Sequence, residues 1–173
     1  MTSRTTFALF VAALLALPAA ASAQTRGHNF WVGGAFGLEA GDGFSGFQLR
    51  ADAEVPITRL TPKVLVSGVG TFAYSRLSHS VNVWKLLPAA RFSVSATPVI
   101  DVYGDVGLGI FHAWAGNASS TGAVMRVGVG GDYSLSPDLK LWADAALNPH
   151  FGDFATSSST TTFTLVFGVK GGF

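Results

Sequence analysis

The sequence contains no cysteine, so neither a disulfide framework nor a thiolate metal site can organise it. Charge is scarce as well. Asp, Glu, Lys and Arg make up 12% of the 173 residues, hydrophobic types 49%, and the mean hydropathy is +0.41. So apolar a composition argues against disorder and belongs to the membrane class. Long apolar runs are nevertheless missing. A membrane helix needs about 18–20 consecutive apolar residues. Beyond the extreme N-terminus, the longest stretch without a polar side chain is Phe30 to Leu38, and three of its positions are Gly. A helical membrane bundle is thereby excluded. A membrane-type composition without a helical span points to the other structure a bilayer tolerates, a closed barrel of strands.

Residues 1–23 read as a cleavable secretory leader. Arg4 is the only charge before Arg26, an apolar core runs from Phe7 to Leu17, Pro18 breaks it, and Ala21-Ser22-Ala23 places small residues where a signal peptidase cuts. No Cys follows, which excludes a lipid-anchored lipoprotein. Residues 24–173 are then the mature domain. Losing Arg4 from the 11 Lys and Arg leaves basic and acidic residues equal in number, the acids being 10. That balance offers no field for nucleic acid.

Within 24–173 the dominant period is two, the period of strands. Phe30, Val32, Phe36 and Leu38 oppose Asn29, Gly33, Ala35 and Glu39. Phe47, Leu49, Ala51 and Val55 oppose Gln48, Arg50, Asp52 and Glu54. Ile100 to Ile110 sets Val102, Val106 and Leu108 against Asp101, Tyr103 and Asp105. Met125, Val127, Val129 and Tyr133 alternate with Arg126, Gly128, Gly130 and Asp132. Leu139, Leu141, Ala143, Ala145 and Leu147 alternate with Lys140, Trp142, Asp144 and Asn148. Phe163, Leu165, Phe167, Val169 and Phe173 alternate with Thr164, Gly168 and Lys170. Segments 63–75 and 81–95 alternate less cleanly, and their faces stay open. Turn residues separate the segments at 41–43, 56–62, 75–80, 96–98, 116–122, 136–138 and 148–159. The expectation is eight antiparallel strands in an up-and-down barrel, with tight inner turns and longer outer loops at 115–122 and 148–159. The glycines of Gly68-Val69-Gly70, Gly107-Leu108-Gly109 and Gly128-Val129-Gly130-Gly131 are expected to make room for large inward side chains.

The last strand carries a resemblance. A terminal Phe173 preceded at alternate positions by Val169, Phe167, Leu165 and Phe163 is similar to the C-terminal assembly signal of bacterial outer-membrane proteins. With eight strands, the whole mature chain resembles the small OmpA/OmpX-like outer-membrane barrels. The resemblance implies outer-membrane location, insertion by the β-barrel assembly machinery, contact with outer-membrane lipid and lipopolysaccharide, and a monomeric state. No peptidoglycan-binding domain is expected within 24–173.

A membrane barrel turns its polar face inward. Glu39, Arg50, Asp52, Glu54, Arg91, Asp101, Asp105, Arg126, Asp132, Lys140, Asp144 and Lys170 are then interior charges. Eight strands enclose a space that side chains fill, and buried charges persist only when paired. The expectation is a neutralised ion-pair plug, with a proton or small-ion path as the sharper reading of the same residues. A soluble lipocalin-like barrel, with the apolar faces inward around a ligand, is the competing architecture.

Catalytic and metal constellations are sparse, and no cofactor is expected. His28, His79, His112 and His150 lie far apart and read as strand-end or solvated loop residues. Lipid A deacylases, which share this architecture, use an H-x-S arrangement. Here Phe30, Val81, Trp114 and Gly152 occupy the second position after each His. The Asp-Ser pair of lipid A palmitoyltransferases is absent too. The sequence therefore predicts a non-enzymatic envelope protein, with an outer-membrane lipid-modifying enzyme as the alternative. Trp142 is expected to fill the barrel, its N–H finding a polar partner.

Overall fold

A computed structural model describes residues 28–41, 43–154 and 157–173. The leader at 1–23 lies outside the described residues. Eight strands follow one another: β1 (Trp31–Gly41), β2 (Phe44–Thr61), β3 (Val64–Leu77), β4 (Asn82–Ser95), β5 (Ile100–Ala115), β6 (Ala118–Ser136), β7 (Leu139–Phe154) and β8 (Ser157–Gly172). Each pairs antiparallel with the next. β1 also pairs with β8, so that Phe36 faces Leu49 on one side and Phe167 on the other, and the barrel closes.

The alternation in the sequence becomes the two faces of this barrel. Phe36, Leu38, Leu108 and Val129 are each about 60% exposed on the outside, while Glu39, Arg91 and Asp144 are 0–2% exposed within. A barrel dissolved in water would bury the first set and solvate the second. Here the polarity is inverted, as a bilayer requires. The two open faces are now assigned. β3 turns Ser67, Val69, Thr71, Ala73 and Ser75 inward, and β4 turns Val83, Lys85, Leu87 and Arg91 inward.

The connections differ from expectation. Strands continue through most of 56–62, 116–122 and 148–159, and the outer turns are as tight as the inner ones. Gly116-Asn117 alone links β5 to β6. β2 absorbs Pro56 through register shifts at Pro56/Thr58 and Arg59/Thr61. Strand β6, 19 residues long, spans roughly 45 Å at ~3.3 Å per residue and a ~45° tilt. That exceeds the apolar band of about 25 Å typical of membrane barrels. The length expected in outer loops is thus spent on strand.

The glycine expectation also divides. Cβ atoms at Gly128 and Gly130 would meet Asp105 Oδ1 at 2.5 Å and the Tyr103 ring at 2.5 Å, so these residues do make room for inward side chains. Gly68 and Gly70 face outward, and a Cβ at Gly70 would meet nothing within 4 Å.

Candidate functional site

The barrel interior gathers the ionisable side chains of six strands into one chain of contacts. From the mouth bordered by His28 and Trp31, Asp101 meets Lys140 at 3.0 Å, Lys140 meets Asp132 at 4.0 Å, Asp132 meets Lys170 at 2.6 Å, and Lys170 meets Glu54 at 3.0 Å. Glu54 accepts from Arg91 at 3.0 Å, and there the chain enters a ring. Arg91 donates to Asp105 (3.0 Å), which accepts from Arg126 (3.0 Å), and Arg126 donates to Asp144. Asp144 accepts from Arg50 (2.9 Å), which chelates Asp52 (2.7 Å), and Asp52 lies 4.0 Å from Arg91 again. Three arginines and three aspartates thus alternate around the bore. Alternation matters because each buried guanidinium is flanked by two carboxylates, which offsets the cost of taking it out of water. Arg91 also lies over the Tyr103 ring at 3.8 Å and Arg50 over Trp142 at 4.9 Å.

Of the twelve predicted interior charges, eleven are buried in this bore, and Asp101 sits partly exposed at its mouth. Sequence reasoning missed Lys85. It is 1% exposed and donates to Glu39, which also accepts from Ser75, from Gln48 (3.1 Å) and from Thr162 (2.7 Å). The signal was hidden because Val83 and Leu87 share the inward face of β4 with Lys85. Both faces of this segment therefore read as apolar.

Those neighbours correct a second expectation. The plug is polar only in part. Beyond the Glu39 cluster, Leu77, Val81, Val83, Leu87, Phe111 and Val124 pack into an apolar cap toward the outer end. His150, expected in a solvated loop, is 1% exposed inside, its ring edge-on to Phe111 at 4.9 Å. Trp142 is inside as expected, but its indole N–H has no hydrogen-bond partner among the described residues. Arg50 covers the ring instead. At the opposite mouth the bore opens into a polar cavity of about 600 Å³ bordered by Trp31, Lys140, Lys170 and Asp101.

The remaining histidines are scattered. His28 borders the inner mouth, its Nε2 3.1 Å from the Pro137 carbonyl and 3.0 Å from Asp138. His79 sits in the β3–β4 turn with φ 58°. His112 faces outward, its Nδ1 2.8 Å from Thr121 Oγ1. The carboxyl-terminal residues form the closing seam. Phe163, Phe167 and Val169 are exposed on the outside, Leu165 half-buried beside them, and Phe173 stacks on Phe30 at 5.3 Å. The Phe173 backbone exchanges hydrogen bonds with Asn29 and Phe30 at 3.0 Å.

No family model matches the chain, and no curated protein does. Solved structures are similar to it at low identity. Neisserial surface protein A superposes with a TM-score of 0.68 at 17% identity, covering 84% of this chain and 97% of that one. The outer membrane enzyme PagL follows at 0.57 and 15%, covering 80% and 97%. Ail, the attachment invasion locus protein of Yersinia pestis, matches at 0.53 and 16%, covering 83% and 96%. An enzyme and an attachment protein share this architecture, so the likeness carries the fold and no activity. The fold is that of the small eight-stranded outer-membrane β-barrels.

Proposed function

We propose that this protein is an integral β-barrel of the bacterial outer membrane, delivered by the 1–23 leader, with a structural or surface-interaction role and no catalysis. The observation that carries the reading is the inverted polarity: a self-neutralised ring of charges inside and a largely apolar surface outside. A soluble ligand-binding barrel needs the reverse, with an apolar chamber within. The His112–Thr121 contact pairs a base with a hydroxyl, but a nucleophile also needs that base oriented by a third group. Partners follow from the surfaces. Membrane lipid covers the outer face, lipopolysaccharide the outer rim, and the assembly machinery engages strand β8 through its outward Phe163, Leu165, Phe167, Val169 and Phe173. The pairing of β1 with β8 closes the ring, which supports a monomeric state.

Cell fractionation combined with heat-modifiable gel migration tests this. The mature protein is expected in the outer-membrane fraction, migrating faster unheated than boiled. Recovery in the soluble periplasmic extract would overturn it.

A further inference from the structure

The outer surface is apolar almost everywhere, but its polar-edged groups are not spread evenly. Of the Tyr and Trp residues, Trp31, Tyr103 and Trp142 are buried inside. Tyr133 lies outward near the mouth bordered by His28 and Trp31. The other three, Tyr74, Trp84 and Trp114, share one outward sector on β3, β4 and β5. Tyr74 and Trp114 approach to 6.3 Å, and His112 lies 5.9 Å from Trp84 and stacks on Trp114 at 5.7 Å and 28°. An ordinary interfacial girdle would ring the barrel.

The same sector holds an isolated cation. Among the described side chains, the exposed outward charges are Arg59, Lys63, Asp138 and Arg76. The first three border the inner mouth. Arg76 alone stands at the outer end, and the register aligns it with Asn82 and Trp114 across β3, β4 and β5. Below this patch the lipid face is indented. Pro88 has no N–H to donate, β4–β5 pairing is interrupted between Leu86/Ile110 and Ala89/Gly107, and small Ala90 lies beside Val106. The result is an apolar depression bordered by Pro88, Ala90, Val106, Leu108 and Met125. Trp84 and Ala90 are six residues apart on one strand, roughly 20 Å at ~3.3 Å per residue. With strand tilt, that reaches about half of a ~25 Å apolar band.

We infer that the β3–β5 sector is a binding site for one phosphorylated glycolipid, the lipid anchor of lipopolysaccharide. This inference rests on the outer-membrane reading above. Arg76 takes a phosphate, as a guanidinium does bidentately. The stacked His112 and Trp114 rings offer a flat face to a sugar, which a glycerol headgroup does not need. An acyl chain descends past Trp84 into the depression at Pro88 and Ala90. Head-group charge, sugar platform and chain groove thus occur on one line down the barrel wall.

The test reconstitutes the purified protein in phosphatidylcholine nanodiscs doped with bis-phosphorylated lipid A, and native mass spectrometry counts the retained lipid. Wild type is expected to hold one lipid A and to lose about five- to tenfold in retention when the lipid is dephosphorylated or when Arg76→Gln is introduced. Ala90→Phe, which fills the depression, should lose retention similarly, whereas Arg59→Gln at the opposite mouth should not. Heat-modifiable migration of each variant shows that it has folded, and the dephosphorylated lipid needs no variant at all. Equal retention by wild type and Arg76→Gln, or equal retention of phosphatidylglycerol, would overturn the site. Failure of the outer-membrane reading shows itself separately, as mature protein in the soluble extract.

Discussion

At the scale of single residues, the protein is organised by partners that cannot be removed one at a time. Asp105 touches both Arg91 and Arg126 at 3.0 Å, and Glu39 binds Lys85 where neither meets solvent. Lys85→Met leaves the Glu39 carboxylate buried without its cation and should cost about 3–5 kcal/mol. The double variant Glu39→Gln with Lys85→Met should cost distinctly less, because no charge is then stranded. Urea unfolding from liposomes, followed by tryptophan fluorescence, measures both, and equal losses would show that the pair is not the source of the effect. Gly128→Val probes space instead, since its Cβ would stand 2.5 Å from Asp105 Oδ1 and 2.9 Å from an Arg126 nitrogen. A loss of about 1–3 kcal/mol is expected from overpacking. The sequence disclosed those interior charges that alternate with strongly apolar neighbours, such as Lys140 between Leu139 and Leu141. It concealed Lys85, whose inward neighbours Val83 and Leu87 are themselves apolar, and His150, which follows Asn148-Pro149 in a stretch that reads as a turn.

At the scale of elements, strand identity was legible and strand ends were not. Ser119 to Thr121 and Ser157 to Thr162 have the composition of loops, yet they are strand. Each pairs with one neighbour only, Ser119 to Thr121 with β5 and Ser157 to Thr162 with β7, so the hairpins run on past the closed ring and their pairing outweighs weak intrinsic propensity. Two predictions belong here. Val106→Arg puts a charge on the outward face of β5 and should cost on the order of 2–4 kcal/mol if it lies near the bilayer midplane. The same liposome unfolding measures it, and unchanged stability would say that this face does not meet lipid. Deleting Phe173 removes the ring stacked on Phe30 and the backbone bonds to Asn29 and Phe30. Secretion should persist while the heat-modifiable form falls, and an undiminished barrel would count against an assembly role for the terminal Phe.

At the scale of the whole molecule, the interior is obstructed twice. The ring of arginines and aspartates fills the middle of the bore, and the apolar cap around Phe111 and Val124 closes the outer end. The mouth beside Trp31 opens into a cavity. Purified protein in planar bilayers should therefore show no solute-sized conductance. A stable large conductance would mean that the side-chain plug yields, and the ion-path reading of the same charges would replace it.

The sequence by itself determined the strand count, the period of two and the sign of each clean face, because these are local properties of consecutive residues. It also determined that the scarce charges must neutralise one another, since their numbers nearly balance and an eight-stranded bore holds little water. Only the tertiary structure decided which charge meets which. Arg50 and Asp144 stand 94 positions apart, and Glu39 and Thr162 stand 123 apart. Their meeting depends on how the register carries each strand around the closed ring. The registers of β3 on β4 and β4 on β5 placed Arg76, Trp114 and the Pro88 depression in one sector, a relation between three strands that no single stretch of sequence contains.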